Sequence, residues 1–140
     1  DAIERGEDRV EFKKTMDALG IGMARSEVAY SVEEALKIAD KICGLRVFVD
    51  ENGKMNVNPA DAGAELLIIS QFTLFADCKS RRPGFAKAAR PDTAIPLYEL
   101  VIAECRKRGF HVETGVFAAK MQVASVNDGP VTILLDTKEL

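Results

Sequence analysis

The clearest periodicity in the chain begins at Ser31. Val32, Ala35, Leu36, Ala39, Ile42 and Cys43 recur at three- and four-residue spacing, which places them on one face of a helix. Ser31 with Glu34 forms a capping box, so the helix is expected to start there, and Gly44 is expected to end it. A second helix is expected over residues 93–108, with Leu97, Tyr98, Val101, Ile102 and Cys105 as its buried stripe. Arg106, Lys107 and Arg108 suit the negative end of its dipole, and Gly109 can close it. Pro96 is tolerable in a first turn, where amides lack helical partners.

The remaining apolar runs are shorter. Residues 46–49 read as a strand, followed by the turn Asp50-Glu51-Asn52-Gly53, in which Gly53 is free to take positive φ. Residues 55–63, with Pro59 and two Asn, read as loop. Leu66-Leu67-Ile68-Ile69 is continuous, as expected of a strand buried on both faces, and runs into Ser70-Gln71-Phe72-Thr73. Residues 76–91 form a loop around Pro83, Gly84 and Pro91. Three strands are expected to finish the chain, at 111–117, 120–126 and 131–136. Before Ser31 only residues 18–23, with Gly20 and Gly22, suggest a short buried strand, behind a mixed-charge surface. The expected class is α/β: mixed β-sheet layers with two main helices packed on one face. Residues 1–30 read as a divergent N-terminal segment of the same domain as 31–140.

Composition narrows the function classes. At 140 residues one domain is the default, with 47% apolar and 29% charged residues as in ordinary globular proteins. No apolar stretch approaches a membrane span, and the opening residues do not read as a signal peptide. Cys43, Cys78 and Cys105 are odd in number and far apart, which suits a reducing, cytoplasmic setting and argues against a disulfide framework. The net charge of −3 disfavours RNA binding by bulk charge. The chain opens on Asp1 rather than Met, and a fragment, a processed form and the ordered part of a longer protein all stay open.

The candidate chemistry is unusual for what it omits. His111 is the only histidine, and its alternation with Val112 reads as an ordinary strand position. No His, Cys or carboxylate spacing matches a metal-ligand set, so neither metal nor cofactor is expected. If the chain is an enzyme, hydroxyls, backbone amides and the substrate itself must do the work. Asn127-Asp128-Gly129 is a strong hairpin signal, but Pro130 removes an amide where the next strand should pair. Residues 79–87 hold Lys79, Arg81, Arg82 and Lys87 and no acid. In a net-acidic chain that local reversal of sign is what a phosphate contact looks like.

These segments together resemble the D-aminoacyl-tRNA deacylases. The matching text is Ser70-Gln71-Phe72-Thr73-Leu74, Arg82-Pro83-Gly84-Phe85, Met121-Gln122-Val123 and Asn127-Asp128-Gly129-Pro130-Val131-Thr132. Asp40-Lys41-Ile42, Leu45-Arg46-Val47-Phe48 and Gly53-Lys54-Met55-Asn56 fit the same pattern. The resemblance runs from about Ser31 to Asp136; the opening strand and hairpin of that family have no counterpart text in residues 1–30 except at Leu19 to Met23, so those strands either lie upstream of Asp1 or are replaced in this branch.

The resemblance implies hydrolysis of the ester joining a D-amino acid to the terminal ribose of tRNA, a step of chiral proofreading in translation. It also implies a homodimer whose active sites lie at the interface. Ser70, Gln71, Phe72 and Thr73 would then be catalytic, and Met121, Asn127, Gly129, Pro130 and Thr132 would bind substrate. The counterpart of Gly129-Pro130 is a cis peptide that enters the partner's pocket and excludes L-amino acids, while glycyl esters would be accepted. Lys79, Arg81 and Arg82 are the expected tRNA contacts, and the aminoacylated 3′ end of tRNA the expected partner. Two other readings stay open: a deacylase for a small L-amino acid ester, and a noncatalytic tRNA-binding relative.

Overall fold

The computed structural model describes residues 25–129 and 131–140, with side chains from Ser31 onward. The strand expected at 18–23 and the isomer of the Gly129–Pro130 bond therefore lie outside the described residues. The architecture is mixed α/β, with two helices packed on small sheets. Helix α1 spans Arg25–Gly44 and α2 spans Pro91–Lys107. Strands β1 (Phe48–Val49) and β2 (Met55–Val57) pair antiparallel; β3 (Leu66–Ile68) and β4 (Val112–Thr114) pair parallel.

The core lies where the two helices meet the β3–β4 pair. Ala39 and Cys105 are fully buried, and Ile102, Phe110 and Val112 close around them. Ile42, Cys43, Leu66, Ile68, Tyr98 and Val101 pack against this cluster half-buried. Both helical stripes read from spacing therefore face the core. The small side chains Ala35 and Ala39 on α1 suit a close approach to α2. The Cys43 and Cys105 sulfurs lie 3.8 Å apart across that contact. Burial is the main reason the Cys105 thiol is pushed up to about 12.

The end of α2 is closed by main-chain geometry. Gly109 takes φ +93°, its amide donates to Arg106 O at 2.9 Å, and the Phe110 amide donates to Cys105 O at 3.3 Å. This is the double bond pattern of a Schellman ending. It drops Phe110 into the core beside Cys105 and aims the chain into β4. The turn after β1 is as expected: Gly53 has φ +73°, and Asp50 and Lys54 bond at 2.7 Å through their backbones. Asp50 also accepts from the Asn56 side chain and from the Lys54 and Asn52 amides, which holds its carboxyl below the ordinary carboxylate value.

Several expectations are corrected. α1 starts at Arg25, so Ser31 lies inside the helix; no Pro or Gly between Arg25 and Ser31 breaks it. α2 starts at Pro91, which makes Pro96 its sixth residue and removes one amide from the helical ladder beyond the first turn. Residues 55–57 are strand rather than loop, because the Asp50–Lys54 turn brings them back alongside β1. The strand expected at 46–49 shrinks to Phe48–Val49, and that expected at 111–117 shrinks to Val112–Thr114. Leu67 is 58% exposed, so β3 is covered on one face only. Residues 120–126 and 131–136 form no strand, since they find no ladder partner among the described residues.

The raised Cys105 value has a consequence at high pH. A thiol that ionises near 9.0 when unfolded but about 12 when folded holds its full stabilising effect below pH 9, and loses it as pH rises toward 12. The slope of unfolding free energy against pH over that window is expected to be up to about 1.4 kcal/mol per unit shallower in Cys105→Ala. Denaturant titrations at pH 8 to 11 check this; parallel profiles refute it.

Candidate active site

Because β3 and β4 run parallel, their C-terminal ends emerge at the same edge. A cleft of about 610 Å³ opens there. Ile69, Ser70, Gln71, Phe72 and Phe75 follow β3 into one wall, and Phe117, Ala118, Ala119, Met121 and Val123 follow β4 into another. Pro91, Ala94 and Tyr98 of α2 form a third side. Phe85, Ala88 and Ala89 reach the cleft from the preceding loop, here termed the strap. The alanines keep the space open and the aromatic rings give it flat apolar walls.

Specific contacts fix these walls. The Tyr98 hydroxyl donates to Ile68 O at 2.7 Å, tying α2 to the end of β3. Burial raises the Tyr98 phenol above its ordinary value. Phe117 packs on Tyr98 with ring centres 5.8 Å apart, and Phe72 meets Phe85 edge to face at 5.0 Å. Gly115 is a close approach: a Cβ there would sit 2.6 Å from the Met121 sulfur and 3.2 Å from Ile69 Cδ1. The same sulfur accepts from the Val116 amide at 3.3 Å. Ala118 holds φ +60°, a left-handed conformation that side chains other than Gly and Asn adopt reluctantly.

The polar equipment is sparse. Phe72–Phe75 forms a single 3-10 turn, with Gln71 extended before it at φ −147°. The Gln71 side-chain amide donates to the Thr73 hydroxyl at 2.7 Å. Thr73 is exposed beside the cleft and is not part of its lining. No acid or base contacts that hydroxyl among the described residues. His111 is exposed, bonds Glu113 at 2.9 Å and lies outside the cleft.

Residues 19–136 match the family described as D-Tyr-tRNA(Tyr) deacylase. The chain belongs to this family. A D-aminoacyl-tRNA deacylase of Geobacillus sp. (strain WCH70) is 51% identical over 120 residues, covering 85% of this chain and 77% of that one. The D-aminoacyl-tRNA deacylase of Thermus aquaticus is 56% identical over 108 residues, 76% of this chain and 71% of the relative. That of Koribacter versatilis (strain Ellin345) is 49% identical over 139 residues, 99% of this chain and 85% of the relative. Among solved structures, c-Myc DNA Unwinding Element Binding Protein superposes with a TM-score of 0.66 at 39% identity, over 72% of this chain and 70% of the other.

Of the residues singled out in the sequence, the cleft of this deacylase-family chain brings together Ser70, Gln71, Phe72 and Met121, with Thr73 one hydrogen bond away. Asn127, Gly129 and Thr132 are exposed and do not line the cleft. A Cβ at Gly129 would collide with the Val131 amide nitrogen and lie 3.1 Å from Asn127 Oδ1, so the turn is tight. Lys79, Arg81 and Arg82 sit on the strap, pinned by the Asp77–Gly84 bridge with bonds of 2.8 and 2.9 Å. Spacing missed Tyr98, Phe117 and Ala118 as cleft residues; the alanine pairs 88–89 and 118–119 were the available signal.

The Tyr98→Phe variant tests the tie between α2 and β3. It leaves the Ile68 carbonyl without this donor, and is expected to cost about 0.5–1.5 kcal/mol by urea denaturation. An unchanged midpoint refutes the role of the bond.

Proposed function

We propose that this chain hydrolyses the ester of D-aminoacyl-tRNA, releasing free tRNA and the D-amino acid, in cytoplasmic proofreading of translation. The carrying observation is the cleft that gathers the Ser70–Phe72 segment and Met121 in a chain of this family. The relatives' shared name, D-aminoacyl-tRNA deacylase, supports the reaction class.

The chemistry asks little of the side chains. The amides of Gln71 and Phe72 donate to nothing among the described residues, so they are available to an oxyanion of the attacked ester. One such donor is worth about 2.7–4 kcal/mol in an acyl-transfer site. The ribose 2′-hydroxyl of the substrate lies beside its own ester carbonyl and assists as an intramolecular group. Thr73, held by Gln71 and touched by no base, is a positioning residue in this mechanism.

Enantiomer selection then falls to the Asn127–Thr132 turn of a second protomer. Discrimination of about 10⁴ needs roughly 5.5 kcal/mol. A missing methylene contact supplies only about 1–3 kcal/mol. Attraction by an apolar wall is too weak, and rigid main chain standing where the L side chain would project is the stronger device. The tight Gly129 turn, exposed on its own protomer, supports this arrangement. So do Val123, Val126 and Leu134, left 54%, 96% and 82% exposed in a single chain. Bare apolar side chains of this kind are consistent with burial between two copies of the chain. Glycyl esters, which project no side chain, pass the same filter.

Deacylation of D-Tyr-, L-Tyr-, L-Ala- and Gly-tRNA tests the reading. The D-Tyr and Gly esters are expected to be cleaved and the L esters spared; cleavage of L-Ala alone, or of none, overturns it. In the same assay Thr73→Ala is expected to lose about tenfold in kcat, the effect of one hydrogen bond of about 1.4 kcal/mol. Complete loss with RNA binding intact would assign the hydroxyl a covalent role. Sedimentation is expected to give twice the chain mass, with Val126→Asp/Leu134→Asp shifting it toward the monomer. A wild-type monomer at assay concentration contradicts the shared site.

A further inference from the structure

A second hollow, of about 380 Å³, is lined by Asp77, Lys79, Ser80, Arg82, Gly84, Ala86 and Lys87. It shares the strap with the cleft. Gly84 and Ala86 face the hollow, while Phe85 between them faces the cleft. The Phe85–Ala88 turn that follows Gly84 thus gives one stretch of backbone an apolar wall and a polar one.

We infer that this hollow seats a phosphodiester group of the tRNA acceptor strand, next to the ester held in the cleft. Three cationic residues and one acidic residue line the hollow. That carboxylate is engaged: Asp77 Oδ1 accepts from the Lys79 amide at 3.0 Å. Lys79, Arg82 and Lys87 form no ion pair among the described residues, so their charge is unspent in a chain of net charge −3. The seat is also built. Ser80 Oγ donates to Arg82 O at 2.7 Å and accepts from the Arg82 amide at 3.2 Å, fixing the turn that presents the guanidinium. The Asp77–Gly84 bridge closes the loop beneath it. Arg81 is not part of the lining, so Lys87 replaces it in the set expected from sequence.

The seat holds backbone and reads no base, which is what an enzyme acting on many tRNAs with a common 3′ end requires. Naming the nucleic acid rests on the functional reading above; the anion seat does not.

The test is a salt titration of the chain with a short, non-aminoacylated single-stranded RNA carrying the tRNA 3′ end. Lys79→Gln/Arg82→Gln/Lys87→Gln keeps much of the side-chain length and removes charge. It is expected to bind about tenfold more weakly at low salt. The slope of log K against log salt should be shallower by about 0.7 for each phosphate no longer neutralised. Lys41→Gln/Lys54→Gln/Lys138→Gln removes equal charge elsewhere and is expected to keep the wild-type slope. Equal weakening in both variants reduces the effect to bulk charge and overturns the seat, as does an unchanged slope in the first. Circular dichroism confirms folding beforehand, and Lys87→Gln alone gives the reading if the triple variant unfolds. Ester hydrolysis by the wild type is measured apart. Its failure sinks the reading of the cleft, while the salt slope still decides the seat.

Discussion

Parallel pairing of β3 with β4 is the constraint from which the rest follows. Two parallel neighbours cannot be joined by a tight turn, so the chain must cross over, and α2 is that crossover. The crossover delivers the carboxyl ends of both strands to one edge. Segments 69–75 and 115–123, far apart in sequence, meet there. Open α/β sheets bind ligands outside the carboxyl ends of their strands for this reason. The Tyr98–Ile68 hydrogen bond and the Cys105 core hold the crossover against the pair, so the cleft inherits its rigidity from the centre of the fold.

A site of this composition works by placement. Its walls are rings, aliphatic side chains and a thioether, and its polar contribution is main-chain amide with the Ser70 and Gln71 side chains, Thr73 being bonded to Gln71 just outside the lining. Such a site suits a substrate that already contains a reactive bond and a neighbouring hydroxyl. The strap divides the labour between apolar contact on one side and charge on the other, within a few residues of chain.

The helices were legible because burial on one face leaves a period in the text: Val32, Ala35 and Ala39, and Ile102 and Cys105, are both the spacing and the core. Gly109 was legible because few residues accept its backbone angle. The Ser70–Thr73 and Met121 segments stood out as unusual text, and the cleft unites them. The start of α1 was not legible, since Ser31 has the chemistry of a cap but nothing before it stops a helix. Residues 120–126 and 131–136 carry the alternation of strands, yet alternation names a face and not a partner. Tyr98 and Phe117 were read as core or strand because only the crossover, a long-range fact, turns them toward one space.

Ala118 shows how the rim of the cleft is defined. At φ +60° it occupies a corner of backbone space where any Cβ crowds the following carbonyl oxygen. The alphabet at that corner is therefore short: glycine and asparagine fit, and branched residues would twist the main chain out of line. Substrate range at this lip is thus hard to retune by swapping side chains one at a time, and easier to alter by inserting or deleting a residue in the corner itself.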